Sequence, residues 1–149
     1  MKQKTQSRRW FVFVLAAAST VQMRVTGWAQ EKKMHRIVFE VSIEGEAQWE
    51  AILNNVENAQ KAFGKESTEI EVVAHGKGLG LLRKTNTSLN ERIVSIASSQ
   101  TRFVACQNTM RRMKITKADL LPEVGTVDSG VAEVVRKQED GWSYIKSGS

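Results

Sequence analysis

From His35 onward the chain alternates stretches of strand character with stretches of helix character, and that alternation restricts the fold more than any other feature. His35 to Ile43 reads as a first strand, because Ile37, Val38, Phe39 and Val41 form a nearly continuous apolar run of the kind covered on both faces. Glu44-Gly45-Glu46 breaks it. Ala47 to Phe63 is a helix: Trp49, Ile52, Leu53, Val56, Ala59 and Phe63 recur at spacings of three and four, and Gly64 suits a C-cap. Asn54, Asn55 and Asn58 flank that stripe as a solvated edge or, alternatively, a subunit contact. Thr68 to His75 is a second strand, running into a glycine-rich turn at Gly76-Lys77-Gly78 and a short helical patch. Asn86-Thr87-Ser88 opens a further helix, with Ser88 and Glu91 in capping-box spacing and Leu89, Ile93, Ile96 and Ala97 on its apolar face.

Arg102 to Ala105 is a short buried strand, followed by a helical Met110-Arg111-Arg112-Met113 for which Asn108 or Thr109 is an available N-cap. Thr116 to Asp119 opens one more helical turn, ended by Pro122, the only proline. Val124 to Asp128 is a brief strand. Ser129-Gly130 starts a last helix over Val131–Gln138, with Val131, Val134 and Val135 on one side. Trp142 to Ile145 is the final strand. Such alternation within one domain predicts an α/β fold, a mainly parallel sheet of about five strands with helices on both faces.

The basic balance belongs to the first segment. The chain carries 22 basic and 16 acidic residues, a formal charge of +6. Lys2, Lys4, Arg8, Arg9 and Arg24 all precede Gln30, where no acidic residue occurs, so the remainder is close to neutral. That leaves too little charge for a phosphate-binding footprint and argues against a nucleic-acid partner. Residues 1–29 instead read as a signal peptide. They have a positive start, an apolar Trp10–Val21, and small residues in Gly27-Trp28-Ala29 ahead of a cleavage point near Gln30. Ser7-Arg8-Arg9-Trp10 resembles a twin-arginine signal, although paired arginines also occur in ordinary secretory signals. The apolar run is short of the ~20 residues of a transmembrane helix. A periplasmic or otherwise exported single domain over 30–149 is therefore expected, without stable membrane insertion after cleavage; retention of the leader as an anchor is the alternative.

One cysteine cannot form an internal disulfide, and in an oxidising compartment it is buried, paired between chains, or reactive. Cys106 sits where a strand ends and a helix begins, where free amides and the positive end of the helix dipole favour a thiolate. The plain reading beside it is an inert packed thiol. In a parallel α/β sheet the ligand crevice lies beyond the carboxyl ends of the strands. His75 reaches that rim, as do the amides of Gly76 and Gly78 and the junction Ser129-Gly130. His75 is a candidate general base or imidazolium partner for the thiol, or simply a turn-stabilising residue. The Gly76-x-Gly78 pair lacks the partners of a nucleotide fingerprint and reads as a tight turn. One cysteine and two histidines at opposite strand ends do not compose a metal site, and no cofactor motif occurs.

Several blocks, taken together, resemble the DsrE/DsrF-like family. They are Ile37-Val38-Phe39-Glu40-Val41, Leu53-Asn54-Asn55-Val56, Val72-Val73-Ala74-His75-Gly76-x-Gly78-Leu79 and Phe103-Val104-Ala105-Cys106-x-Asn108-Thr109. Leu121-Pro122-x-Val124, Ser129-Gly130-Val131-Ala132-Glu133 and Gly141-Trp142-x-Tyr144-Ile145 complete the set. The resemblance runs from about Met34 to Lys146 and is to a single-cysteine branch often found with an export signal. It implies a three-layer α/β/α sandwich of YchN-like type and assembly into homotrimers or homohexamers. It also implies a sulfur-handling role in which Cys106 carries sulfane sulfur as a persulfide for an unknown donor or acceptor protein. Asn108, Thr109, Ser129 and Gly130 would then line the site with His75, Gly76 and Gly78. Whether such a protein turns over as an enzyme is left open. The competing expectation is a non-catalytic oligomeric binding protein with a packed Cys106; a thiol oxidoreductase suffers from the lack of a C-x-x-C pair.

Overall fold

A computed structural model describes residues 33–146, which form five strands and four α-helices. The expected leader lies outside the described residues. In chain order the elements are β1 (His35–Val41), α1 (Glu46–Phe63), β2 (Thr68–Ala74), α2 (Thr87–Ala97), β3 (Thr101–Cys106), α3 (Gln107–Met113), β4 (Gly125–Val127), α4 (Gly130–Glu139) and β5 (Ser143–Lys146). A 3-10 segment, Gly76–Leu82, links β2 to α2, and another, Lys117–Asp119, follows α3. The expected α/β sandwich is what forms. All four strand pairings are parallel, and the spatial order is β4-β3-β2-β1-β5.

That order determines which face each helix covers. Moving from β1 outward to β4, right-handed crossovers place α1, α2 and α3 on one face; returning from β4 to β5 places α4, alone among the described helices, on the other. The larger core lies under α1 and α2. Phe39, Val72 and Phe103 from three neighbouring strands meet Ile52, Leu53 and Val56 of α1 and Ile93 of α2. The α4 side is thinner: Val38, Val73 and Val104 meet Val134 and Trp142. Glu71, 1% exposed, lies on that side too, with Lys137 Nζ at 3.2 Å and Arg102 at 3.6 Å. Burial dominates and pushes the Glu71 carboxyl up, with the neighbouring Glu133 adding to the shift. Lys137 also stacks over the Trp142 ring at 4.1 Å, which fastens α4 to the start of β5.

Several local expectations are corrected. The α2 helix begins at Thr87, and Ser88 makes no capping box; Asn86 turns its amide back to the Leu81 carbonyl instead of capping. Thr116 and Asp119 do form a reciprocal box. Of the three valines assigned to one side of α4 only Val134 is buried, whereas Val131 and Val135 are 59% and 46% exposed. Among the described residues no second helix lies beside α4 to cover the flank of its apolar stripe. Asn54 is not merely solvated, since it accepts a hydrogen bond from Arg92 of α2, which also chelates Glu57.

Leu53 is fully enclosed between α1 and the sheet. Leu53→Ala is expected to lower the unfolding free energy by about 2–5 kcal/mol, measured by urea titration, because the site cannot collapse around the cavity.

Candidate functional site

Parallel pairing puts every strand's carboxyl end on one rim. Ala74 of β2 and Ala105 of β3 are register partners, so the residues that follow them, His75 and Cys106, leave the sheet side by side. Strand alternation sends both toward the α4 side. There Cys106 opens directly into α3, which begins at Gln107 with no intervening cap residue. Asn108 and Thr109, expected as caps, fall inside the first turn; the Asn108 amide donates to the Asp128 carbonyl at 3.3 Å, and the Thr109 amide is turned toward the sulfur. The amide of Gly130, first residue of α4, approaches from the other side.

A cleft of about 230 Å³ opens at this point. It is lined by Cys106, His75, Gly76, Asn108, Thr109, Ser129 and Gly130, together with Arg112 and Val131. Cys106 is recessed, 4% exposed. Two opposing influences act on its thiol. Burial, the larger single influence, pushes it up; the amides of Gly130, Thr109 and Asn108 and the Thr109 hydroxyl together outweigh burial and hold it below the ordinary value. Thr109 is itself fixed, because its hydroxyl oxygen accepts from the Gly76 amide at 3.0 Å. Gly76 has φ +53°, a conformation that turns its N–H inward and suits glycine.

Gly130 serves the site by lacking a side chain. A Cβ there would lie 2.9 Å from His75 Cβ, so the helix start approaches the histidine as closely as it does only with glycine. Ser129 caps α4, its hydroxyl accepting from the Ala132 amide at 3.5 Å. Gly78 is the expected site residue that is placed elsewhere. It is buried against the backbone of β1, where a Cβ would meet the Val41 carbonyl oxygen at 2.2 Å, and it does not line the cleft. Its glycine answers a packing demand.

Three residues near the rim were not singled out from sequence. Glu40 Oε1 lies 2.7 Å from His75 Nε2, and the Tyr144 hydroxyl donates to Glu40 Oε2. Burial raises the Glu40 carboxyl, but the hydrogen bonds from Tyr144 and His75 and the charges of His75 and Lys146 bring it below its usual value. Arg112 contributes a positive charge at the mouth. The signal in the sequence is an ionisable residue, Glu40, inside the apolar run from Ile37 to Val41 of β1. Among the described residues no three histidine, cysteine or acidic side chains gather as a metal site, and no helix is long and apolar enough to cross a membrane.

A sequence model of the DsrE/DsrF-like family matches residues 34–147. The chain belongs to the DsrE/DsrF-like family. The fold agrees: a protein of unknown function, MTH1491, from Methanobacterium thermoautotrophicum superposes with a TM-score of 0.71 at 35% identity. That similarity covers 75% of this chain and 98% of the other. No curated protein matches. Within this family member the deepest chemical asset of the rim is the amide-ringed Cys106.

The depressed thiol has a thermodynamic signature. A group whose folded value lies below its unfolded one contributes stability that is complete above the unfolded value and is lost as pH falls through the folded one. Relative to Cys106→Ser, the protein is expected to gain unfolding free energy as pH rises toward about 8.5, the free-cysteine value, and to level off beyond it. Thr109→Ala is expected to slow alkylation of Cys106 near neutral pH by about tenfold, in keeping with loss of one charge-assisted hydrogen bond. A pH-resolved iodoacetamide rate measures it.

Proposed function

We propose that this DsrE/DsrF-like protein carries sulfane sulfur on Cys106 and passes it to a partner. The convergence of amides on that sulfur carries the reading: a site that favours a thiolate also favours the anionic persulfide formed from it. The family is generally linked to sulfur relay, which agrees with the chemistry.

In the loading step the Cys106 thiolate attacks the sulfane sulfur of a donor such as a polysulfide or thiosulfate. A sulfur–sulfur bond forms to Cys106, the donor's own bond to that sulfur breaks, and the remainder leaves with the electron pair, as sulfite in the case of thiosulfate. In the unloading step an acceptor thiolate attacks the outer sulfur, and Cys106 leaves as the restored thiolate. No net oxidant is needed. The hydroxyl of Thr109 and the Gly130 amide supply donors to the sulfur in both states.

The setting we propose for this cycle is an exported domain, freed of residues 1–29 and assembled as a small homo-oligomer. The leader pattern supports export. The thin α4 side, with Val131 and Val135 exposed, is compatible with contact between copies. The second reading, an oligomeric binding protein in which Cys106 only packs, draws on the thiol's 4% exposure. A thiol inert to alkylation in the native protein and reactive only in denaturant would favour it.

Intact mass spectrometry of protein offered polysulfide or thiosulfate, without reductant, is expected to show the addition of one sulfur atom, removed by dithiothreitol and absent from Cys106→Ser. No added sulfur, or equal addition to both proteins, defeats the carrier role.

A further inference from the structure

A row of polar side chains crosses the carboxyl rim on the α4 side, from β5 through β1 and β2 to β3. Tyr144 donates to Glu40, Glu40 pairs with His75 Nε2 at 2.7 Å, and His75 enters the same cleft as Cys106. His75 and Glu40 are 18% and 19% exposed, so their contact is partly withdrawn from solvent screening. The Tyr144 hydroxyl, pushed up to about 12 chiefly by its bond to Glu40, stays protonated and remains a donor. The Glu40 carboxylate can only accept. With the imidazole neutral, the ring proton facing Glu40 must therefore sit on Nε2, and Nδ1 keeps its lone pair.

We propose that Glu40 is a positioning residue: by accepting the Nε2 proton of His75 it leaves Nδ1 as the base that takes the proton of Cys106. In this step the S–H bond breaks, its electron pair stays on sulfur, and the proton passes to Nδ1. The resulting imidazolium lies against the Glu40 carboxylate, which offsets its charge. The inference deepens the carrier reading, because it assigns how the nucleophile is prepared, yet the proton step itself requires no sulfur donor.

Other charges face this region from the neighbouring elements. Lys146 on β5 acts on Glu40, and Arg112 on α3 stands at the cleft mouth. Asp128, ahead of α4, is tied to Arg136, while Gly130 and Val131 of α4 bring no charge to the cleft. Glu40 is thus the carboxylate bonded to the histidine.

The experiment is the pH dependence of iodoacetamide alkylation in the full chain, where Cys106 is the only cysteine. Glu40→Gln and His75→Gln are expected to slow alkylation at neutral pH by at least about tenfold, the lower reach of general-base effects. Both should converge on the unaltered protein at alkaline pH, where the thiolate forms unaided. Glu40→Asp should recover most of the neutral-pH rate. A Glu40→Gln profile that superimposes on the unaltered protein overturns the proposal, and so does equal slowing at every pH, which marks lost access. Should Glu40→Gln fail to fold, nitrogen-15 NMR of the unaltered protein decides: the neutral His75 ring protonated at Nε2 supports the assignment, and protonation at Nδ1 refutes it. Absence of a persulfide with these profiles intact would remove the carrier reading and leave the role of Glu40 standing.

Discussion

All five strands run the same way, and the rest of the architecture depends on that constraint. A parallel pair cannot be closed by a hairpin, so each connection must cross the sheet and bring a helix or helical turn with it. Every strand then delivers its carboxyl end, and every following helix its amino end, to a single rim. In this chain the outward walk from β1 to β4 and the return to β5 add a further element. The return helix α4 starts beside β4 on the face opposite α3, so two helix starts approach Cys106 from different sides. The donors around the sulfur follow from topology before any side chain is considered.

The energetics at Cys106 are a contest between burial and polarity. A thiol recessed among valines alone would resist ionisation; here the same recess is lined with N–H groups already fixed by helix geometry, which need not reorganise when charge develops. Two glycines serve this arrangement in different ways. Gly130 lets α4 press against His75, and Gly76 turns an amide onto the Thr109 hydroxyl. Removing either freedom would shift a donor without touching the sulfur directly.

Much of the fold could be read from the residues. The near-continuous apolar run of β1 and the three-four spacing of α1 arise from short-range geometry, which a sequence displays directly. The position of Cys106 at a strand end followed from the same reading, as did the glycine-rich turn after β2. What escaped depended on contacts between distant segments. Glu40 and Tyr144 meet because β1 and β5 are neighbours, a pairing that no local pattern encodes. Gly78 was grouped with the rim because it follows Gly76, although its demand comes from the β1 backbone beneath it. Asn108 and Thr109 have the side chains of good caps, whereas β3 passes into α3 without a connecting residue and Cys106 itself holds the cap position. The exposed valines of α4 show the same limit, since helical periodicity identifies a stripe but not how much of it a neighbour will cover.

The recess of the lone sulfur also bears on what it is able to touch. A disulfide brings two sulfur atoms to about 2 Å and their α-carbons to within about 7 Å. Cys106 is only 4% exposed, so a second folded copy has little of that sulfur to approach. Self-crosslinking is thereby disfavoured, since a disulfide needs both sulfurs exposed enough to meet. The cover over the sulfur thus acts as a guard on its oxidation as well as on its exposure.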